Sequence, residues 1–182
     1  AGWEVITIDN NPKFNPTICV DVRTLTVERA EMASKLKTLS GYDELVELMS
    51  PPCERWSLAR RTWPERGVRA AAEIVGACLE FVALSREKKR LFRWVLENPR
   101  GRLRWFLGPP IATIHWSNYG STWNKPTDLW GNIKLPWIKS EGVATGSPND
   151  IFTFNKENVA KRAAIPIGLS QAIFESTQTT ES

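Results

Sequence analysis

Histidine occurs once in the 182 residues, tyrosine and methionine twice each, and cysteine three times. That poverty has consequences. Cys19, Cys53 and Cys78 form no close-spaced pair and His115 stands alone, which excludes the usual zinc patterns and argues against a disulfide framework. A reducing, cytoplasmic compartment follows as the expectation. His115 has no serine or cysteine partner pattern around it and reads as structural. No apolar run reaches the length of a membrane span and no signal-peptide pattern stands at the amino terminus, so neither a membrane partner nor a leader is expected. Internal repeats and low-complexity tracts are also missing.

The length suits one domain with a real core, taken as residues 1–175 followed by a polar tail, 176–182. Tryptophan is abundant, with nine copies that serve as core or loop anchors or as faces on which bases stack. Charge is nearly balanced, 24 Lys plus Arg against 20 Asp plus Glu, but it is unevenly placed. Arg86, Lys88, Lys89, Arg90, Arg93, Arg100, Arg102 and Arg104 face only Glu87 and Glu97 in the same stretch. Such density suits a phosphate backbone and equally a solvated helix end.

Along the chain, Glu4–Asp9 and Thr17–Asp21 are β-branched apolar segments, each ending in a carboxylate. Two successive strands of this kind predict a parallel sheet with acids along one edge. Asp9 and Asp21 are then either ribose-type acceptors or caps of the turns that follow. Val27–Leu39 predicts a helix and Asp43–Met49 the next strand, stopped by Pro51-Pro52, with Cys53 just past its carboxyl end. Residues 55–67 read as a basic loop holding Arg55, Arg60, Arg61 and Arg66, suited to closing over a polyanion. Val68, Ala71, Ala72, Val75, Cys78, Leu79 and Val82 recur at helical spacing, so Cys78 belongs to the core. Strands are predicted at Phe92–Leu96 (ended by Glu97-Asn98-Pro99), at Ile111–Trp116 and at Asp128–Trp130. Leu135–Asp150 reads as a surface loop and Ile167–Glu175 as a last helix. Alternating strands and helices place the fold in the α/β class with a mainly parallel sheet.

Ser50-Pro-Pro-Cys53, followed by a helix and then Glu97-Asn98-Pro99 at a strand end, resembles the DNA cytosine-5 methyltransferases, in particular their compact phage-type and virus-type members. Asn118-Tyr119-Gly120, Lys125-Pro-Thr-Asp-Leu-Trp-Gly-Asn132 and Arg162-Ala-Ala-Ile-Pro166 continue the resemblance in order, so that it spans about Gly2 to Phe174. The resemblance implies a Rossmann-like S-adenosylmethionine-dependent fold, with Cys53 as nucleophile towards carbon-6 of cytosine and Glu97 as the acid at the ring nitrogen. It implies S-adenosylmethionine as donor, with Asp9 at the ribose, Asp21 at the adenine amino group, and Ser50 and Pro51 beside the cofactor. DNA is the implied partner, met by Arg55, Arg60, Arg61, Arg100 and Arg102, with the target base turned out of the duplex. The resembled fold carries a first strand and a glycine-rich loop ahead of Glu4–Asp9, placed mid-sheet between that strand and Asp43–Met49. The expectation is therefore a sheet lacking that strand, completed by an upstream segment or a partner chain. The alternative function is a catalytically inactive, methyltransferase-derived module that binds nucleic acid or docks in a larger assembly.

Overall fold

The computed structural model describes residues 4–25, 44–58, 67–88, 91–134 and 165–178. The expected helix at Val27–Leu39 and the loops at 59–66 and 135–150 lie outside these residues. So do Arg60, Arg61 and most of the Arg162–Pro166 element.

Two parallel two-residue strands, β1 (Ile8–Asp9) and β2 (Ile18–Cys19), form one small ladder. They are shorter than the apolar runs suggest because side chains capture the backbone on either side. Asp9 accepts from the Asn11 N–H at 2.7 Å, Asn11 accepts from the Lys13 N–H at 3.1 Å, and Asp21 accepts from the Arg23 N–H at 2.9 Å. Such local bonds offer the backbone an alternative to the ladder. The turn Val22–Thr24 leans on the long helix, with Arg23 3.8 Å from Glu73.

The main sheet has four strands: β3 (Glu44–Met49), β4 (Leu91–Pro99), β5 (Ala112–His115) and β6 (Pro126–Gly131), in the order β3-β4-β6-β5. Helix α1 (Val68–Lys88) makes the crossover between the parallel neighbours β3 and β4. Ala71, Val75, Cys78 and Val82 are its buried positions, as the apolar spacing demands.

The expectation of a mainly parallel sheet is corrected. Within the four strands one pairing is parallel, and β6 runs antiparallel to both β4 and β5. Only Trp116–Lys125 separates β5 from β6, ten residues that turn back on themselves, whereas a parallel return needs a crossover of a dozen or more. His115 Nδ1 lies 2.5 Å from Asn124 Oδ1, fastening the two ends of that return.

Strand β4 is the spine. Val95, Leu96, Glu97 and Asn98 are buried in succession, which requires cover on both faces. Side-chain alternation sends Val95 into a cluster with Ile114, Trp116, Leu129 and helix α3 (Ile167–Gln178), represented by Leu169, Ala172 and Ile173. Leu96 goes the other way, into a cluster with Trp56, Val75, Cys78, Leu103 and Trp130 against α1. The result is a helix–sheet–helix sandwich. Arg93 ties the layers together by bonding Glu44 on β3 at 2.5 Å and the Thr177 carbonyl on α3 at 2.6 Å. No helix of the described residues is long and apolar enough to cross a membrane.

Candidate active site

Strand β3 stops at Met49, opposite Leu96, but β4 runs on for three more residues. Glu97, Asn98 and Pro99 pair only with Leu129, Asp128 and Thr127 of β6. The segment expected to end the strand is thus inside it, held on one side and open on the other. Into the open side comes the chain leaving β3, which the two prolines prevent from continuing the ladder. Pro51 is buried and its carbonyl accepts from Asn98 Nδ2 at 2.9 Å. The Ser50 hydroxyl bonds the Glu97 carboxylate.

Beyond Pro52 the chain closes a tight turn. The N–H groups of Trp56 and Ser57 both donate to the Cys53 carbonyl, at 3.0 and 2.9 Å. Trp56 is fully buried, and its carbonyl accepts from the Arg102 N–H at 2.8 Å, while Ser57 forms a β-bridge with Gly101. A side chain at Gly101 would lie 2.2 Å from the Trp56 carbonyl oxygen, so only glycine allows this contact. The Cys53 turn is therefore clamped to the backbone that follows Glu97-Asn98-Pro99.

Lys125, at the end of the β5–β6 return, completes the group. Its ammonium sits 3.8 Å from the centre of the Trp116 ring, and its carbonyl accepts from the Trp116 N–H at 3.2 Å. Burial pushes the Glu97 carboxyl up, and Lys125 and then the Ser50 hydroxyl oppose that shift. Burial likewise pushes up the thiol of half-buried Cys53; Lys125 offsets this and Glu97 adds to it. Lys125 thus bears on both the Cys53 thiol and the Glu97 carboxyl, and Glu97 bears on the thiol. Glu97 Oε1 and Asn98 Oδ1 are buried with no hydrogen-bond partner among the described residues, a costly condition for groups that only meet protein.

The structure brings Ser50, Pro51, Cys53 and Glu97 together. Asp9 stands at the end of β1 and keeps one carboxylate oxygen without a partner among the described residues. Asp21 is gripped by the Arg23 guanidinium at 2.5 Å, which holds its carboxyl down to about 2. Neither acid is joined to the Ser50–Cys53 segment by a described ladder. Arg55 folds against the backbone of Gly67. Arg100 is exposed, while Arg102 Nη1 is bonded to the Ser57 carbonyl at 3.1 Å. Arg60 and Arg61 lie outside the described residues.

Sequence reasoning did not single out Lys125 or Asn98 individually. Both stand within motifs it quoted, and the available signal was that a lysine immediately preceding a strand-opening proline is delivered to the strand end. No family model, curated protein or solved structure matches the chain.

Proposed function

We propose that this chain is built for methyl transfer to carbon-5 of cytosine in DNA, with Cys53 as nucleophile and Glu97 as the proton-bearing partner. The convergence of Cys53, Ser50 and Lys125 on a buried Glu97 with an unsatisfied oxygen carries the reading. A carboxyl whose burial favours its neutral form remains a hydrogen-bond donor to higher pH than an ordinary glutamate. It suits the ring nitrogen of cytosine, where electron density accumulates when sulfur adds to carbon-6. That addition forms a C–S bond and moves the ring π pair to carbon-5, which would take the methyl group as the donor's methyl–sulfur bond breaks with its electron pair left on sulfur; loss of the carbon-5 proton to water and expulsion of the Cys53 thiolate, with Glu97 taking back its proton, restore the ring. Lys125 favours the ionised thiol that the first step needs, and Asn98 holds the Pro51 carbonyl so that the turn keeps its place.

S-adenosylmethionine, as the proposed donor, would supply an electrophilic methyl group on a sulfonium centre. Asp9 fits it in part, through an unpartnered carboxylate oxygen at a strand end. Asp21 does not fit as it stands, because Arg23 occupies its carboxylate. The separation of the β1–β2 ladder from the main sheet supports a Rossmann-like sheet interrupted where the resembled fold carries its first strand. An upstream segment or a partner chain is the proposed source of that strand.

The test is transfer of labelled methyl from S-adenosylmethionine to cytosine-containing DNA, beside a Cys53→Ala control. Label in the wild type alone supports the reading; equal label in both proteins, or none in either once the missing strand is supplied by the full-length protein or its partner, sinks it. The closed Asp21–Arg23 pair favours a second reading, a derived module that binds nucleic acid without turnover. Measurable donor binding by calorimetry counts against that alternative.

A further inference from the structure

The short helix α2 (Arg104–Leu107) carries two large, mostly exposed rings: Trp105 is 76% exposed and Phe106 58%. Isolated exposed aliphatic residues are ordinary, but adjacent exposed aromatic rings on a fixed turn are not. The turn is fixed from every side. Leu103 before it is fully buried, and Arg104 is bound by Asp128 at 2.5 Å and by Thr113 at 2.6 Å. The Gly108 N–H donates to the Arg104 carbonyl at 3.0 Å, and the Gly108 carbonyl accepts from Trp130 Nε1 at 3.1 Å. One face of Phe106 meets Trp56, with ring centres 5.4 Å apart. Since Trp56 is also the anchor of the Cys53 turn, the exposed rings belong to the same rigid piece as the thiol.

The surroundings are basic. The segments 50–58 and 99–111 hold Arg55, Arg100, Arg102 and Arg104 against Glu54 alone. Arg102 and Arg104 are committed to the Ser57 carbonyl and to Asp128, whereas Arg100 is exposed and forms no ion pair among the described residues. Exposed rings and an exposed arginine within one short, fixed segment match the two faces of a nucleic-acid strand, whose bases stack and whose phosphates are anionic.

We propose that Trp105 and Phe106 form a stacking element for unpaired bases of DNA, with Arg100 taking a phosphate beside them. The inference rests on DNA as the partner of the Cys53 site and adds where the strand lies. Bases displaced around the target would find a π surface on the segment clamped to the Cys53 turn, which lowers the cost of leaving the duplex.

The test is fluorescence anisotropy with a labelled single-stranded, cytosine-containing oligonucleotide and its duplex. Wild type, Trp105→Ala, Phe106→Ala, Trp105→Phe and Arg100→Gln are compared. Trp105→Ala is expected to weaken single-strand binding about tenfold, with Trp105→Phe retaining most of the affinity. Arg100→Gln should lower the slope of log K against log salt by about one. Trp105 is the more exposed ring, so its variants should keep the wild-type thermal midpoint, whereas Phe106→Ala gives up a contact with Trp56 and should lower it slightly. Unchanged affinity in both ring-to-alanine variants overturns the proposal, as does a wild type that binds neither oligonucleotide. Loss of self-association in those variants, with DNA binding intact, also overturns it and assigns the rings to a second copy of the chain. The same proteins are assayed for methyl transfer. Binding that depends on Trp105, without transfer, fails the catalytic reading and leaves this one standing. Transfer with Trp105-independent binding fails this one alone.

Discussion

Two glutamate–cysteine pairs occupy the same sheet and differ in nearly everything that matters for chemistry. Glu47 on β3 projects towards α1, where its charge bears on Cys78; burial pushes Glu47 up to about 7 and Cys78 up to about 11. Buried Glu97 and half-buried Cys53 are also shifted upward, yet both feel the Lys125 ammonium. Cys78 lies in the core, whereas Cys53 lies half-buried at the strand ends. Burial alone therefore does not mark a site. Glu47 too has both carboxylate oxygens buried without a hydrogen-bond partner among the described residues, so what sets the Glu97 pair apart is a cation that opposes the burial and a side open to a ligand.

The sharpest way to break that comparison is to exchange the roles of the cysteines. Cys53→Ala should reduce methyl transfer by more than about a thousandfold with little change in thermal midpoint, because the side chain lies at the rim. Cys78→Ala should leave transfer intact and cost about 1 kcal/mol of stability in denaturant melts. Equal effects of the two substitutions on transfer would erase the distinction.

Next in size is Trp56→Ala, which removes the shared anchor. Loss of roughly 3–5 kcal/mol is expected for a fully buried tryptophan, read by urea melts.

The Glu47 pair makes a pH prediction. A carboxyl raised to about 7 when folded binds more protons than its unfolded form above about pH 4.5, so its contribution is present at low pH and fades as pH rises through 7. The loss is on the order of 3 kcal/mol. Glu47→Gln should flatten this slope between about pH 5 and pH 8 in thermal melts. A Glu47→Gln profile parallel to the wild type would contradict the assignment.

The smallest effect concerns Lys125. Lys125→Met should slow alkylation of Cys53 by iodoacetamide at neutral pH by several-fold, since less thiolate is present. Cys78 should be unaffected. An unchanged Cys53 rate would remove Lys125 from the group.

Much of this arrangement is legible in the chain because it is local. The apolar spacing from Val68 to Val82 specifies α1 and its buried face, and Pro51-Pro52 specifies where β3 must stop. Glu97 was readable as a strand-end acid, although the strand continues to Pro99 because β6 pairs with it there. Non-local facts were hidden. Nothing near Pro126–Gly131 says that this strand inserts between β4 and β5, and its insertion is what makes the sheet mixed and brings Lys125 to Cys53. The Arg23 grip on Asp21 is local in sequence but depends on side-chain geometry that residue types do not reveal. Arg102 looks like a phosphate ligand in a basic run; its guanidinium instead bonds a backbone carbonyl.

The contact of Gly101 with the Trp56 carbonyl has a consequence for how the chain tolerates change in side-chain size. It closes at Ser57, before the residues that lead to α1, so the thiol's position is registered against β4 upstream of that connection. A residue larger than glycine at 101 would therefore shift the Cys53 turn as a unit, thiol included.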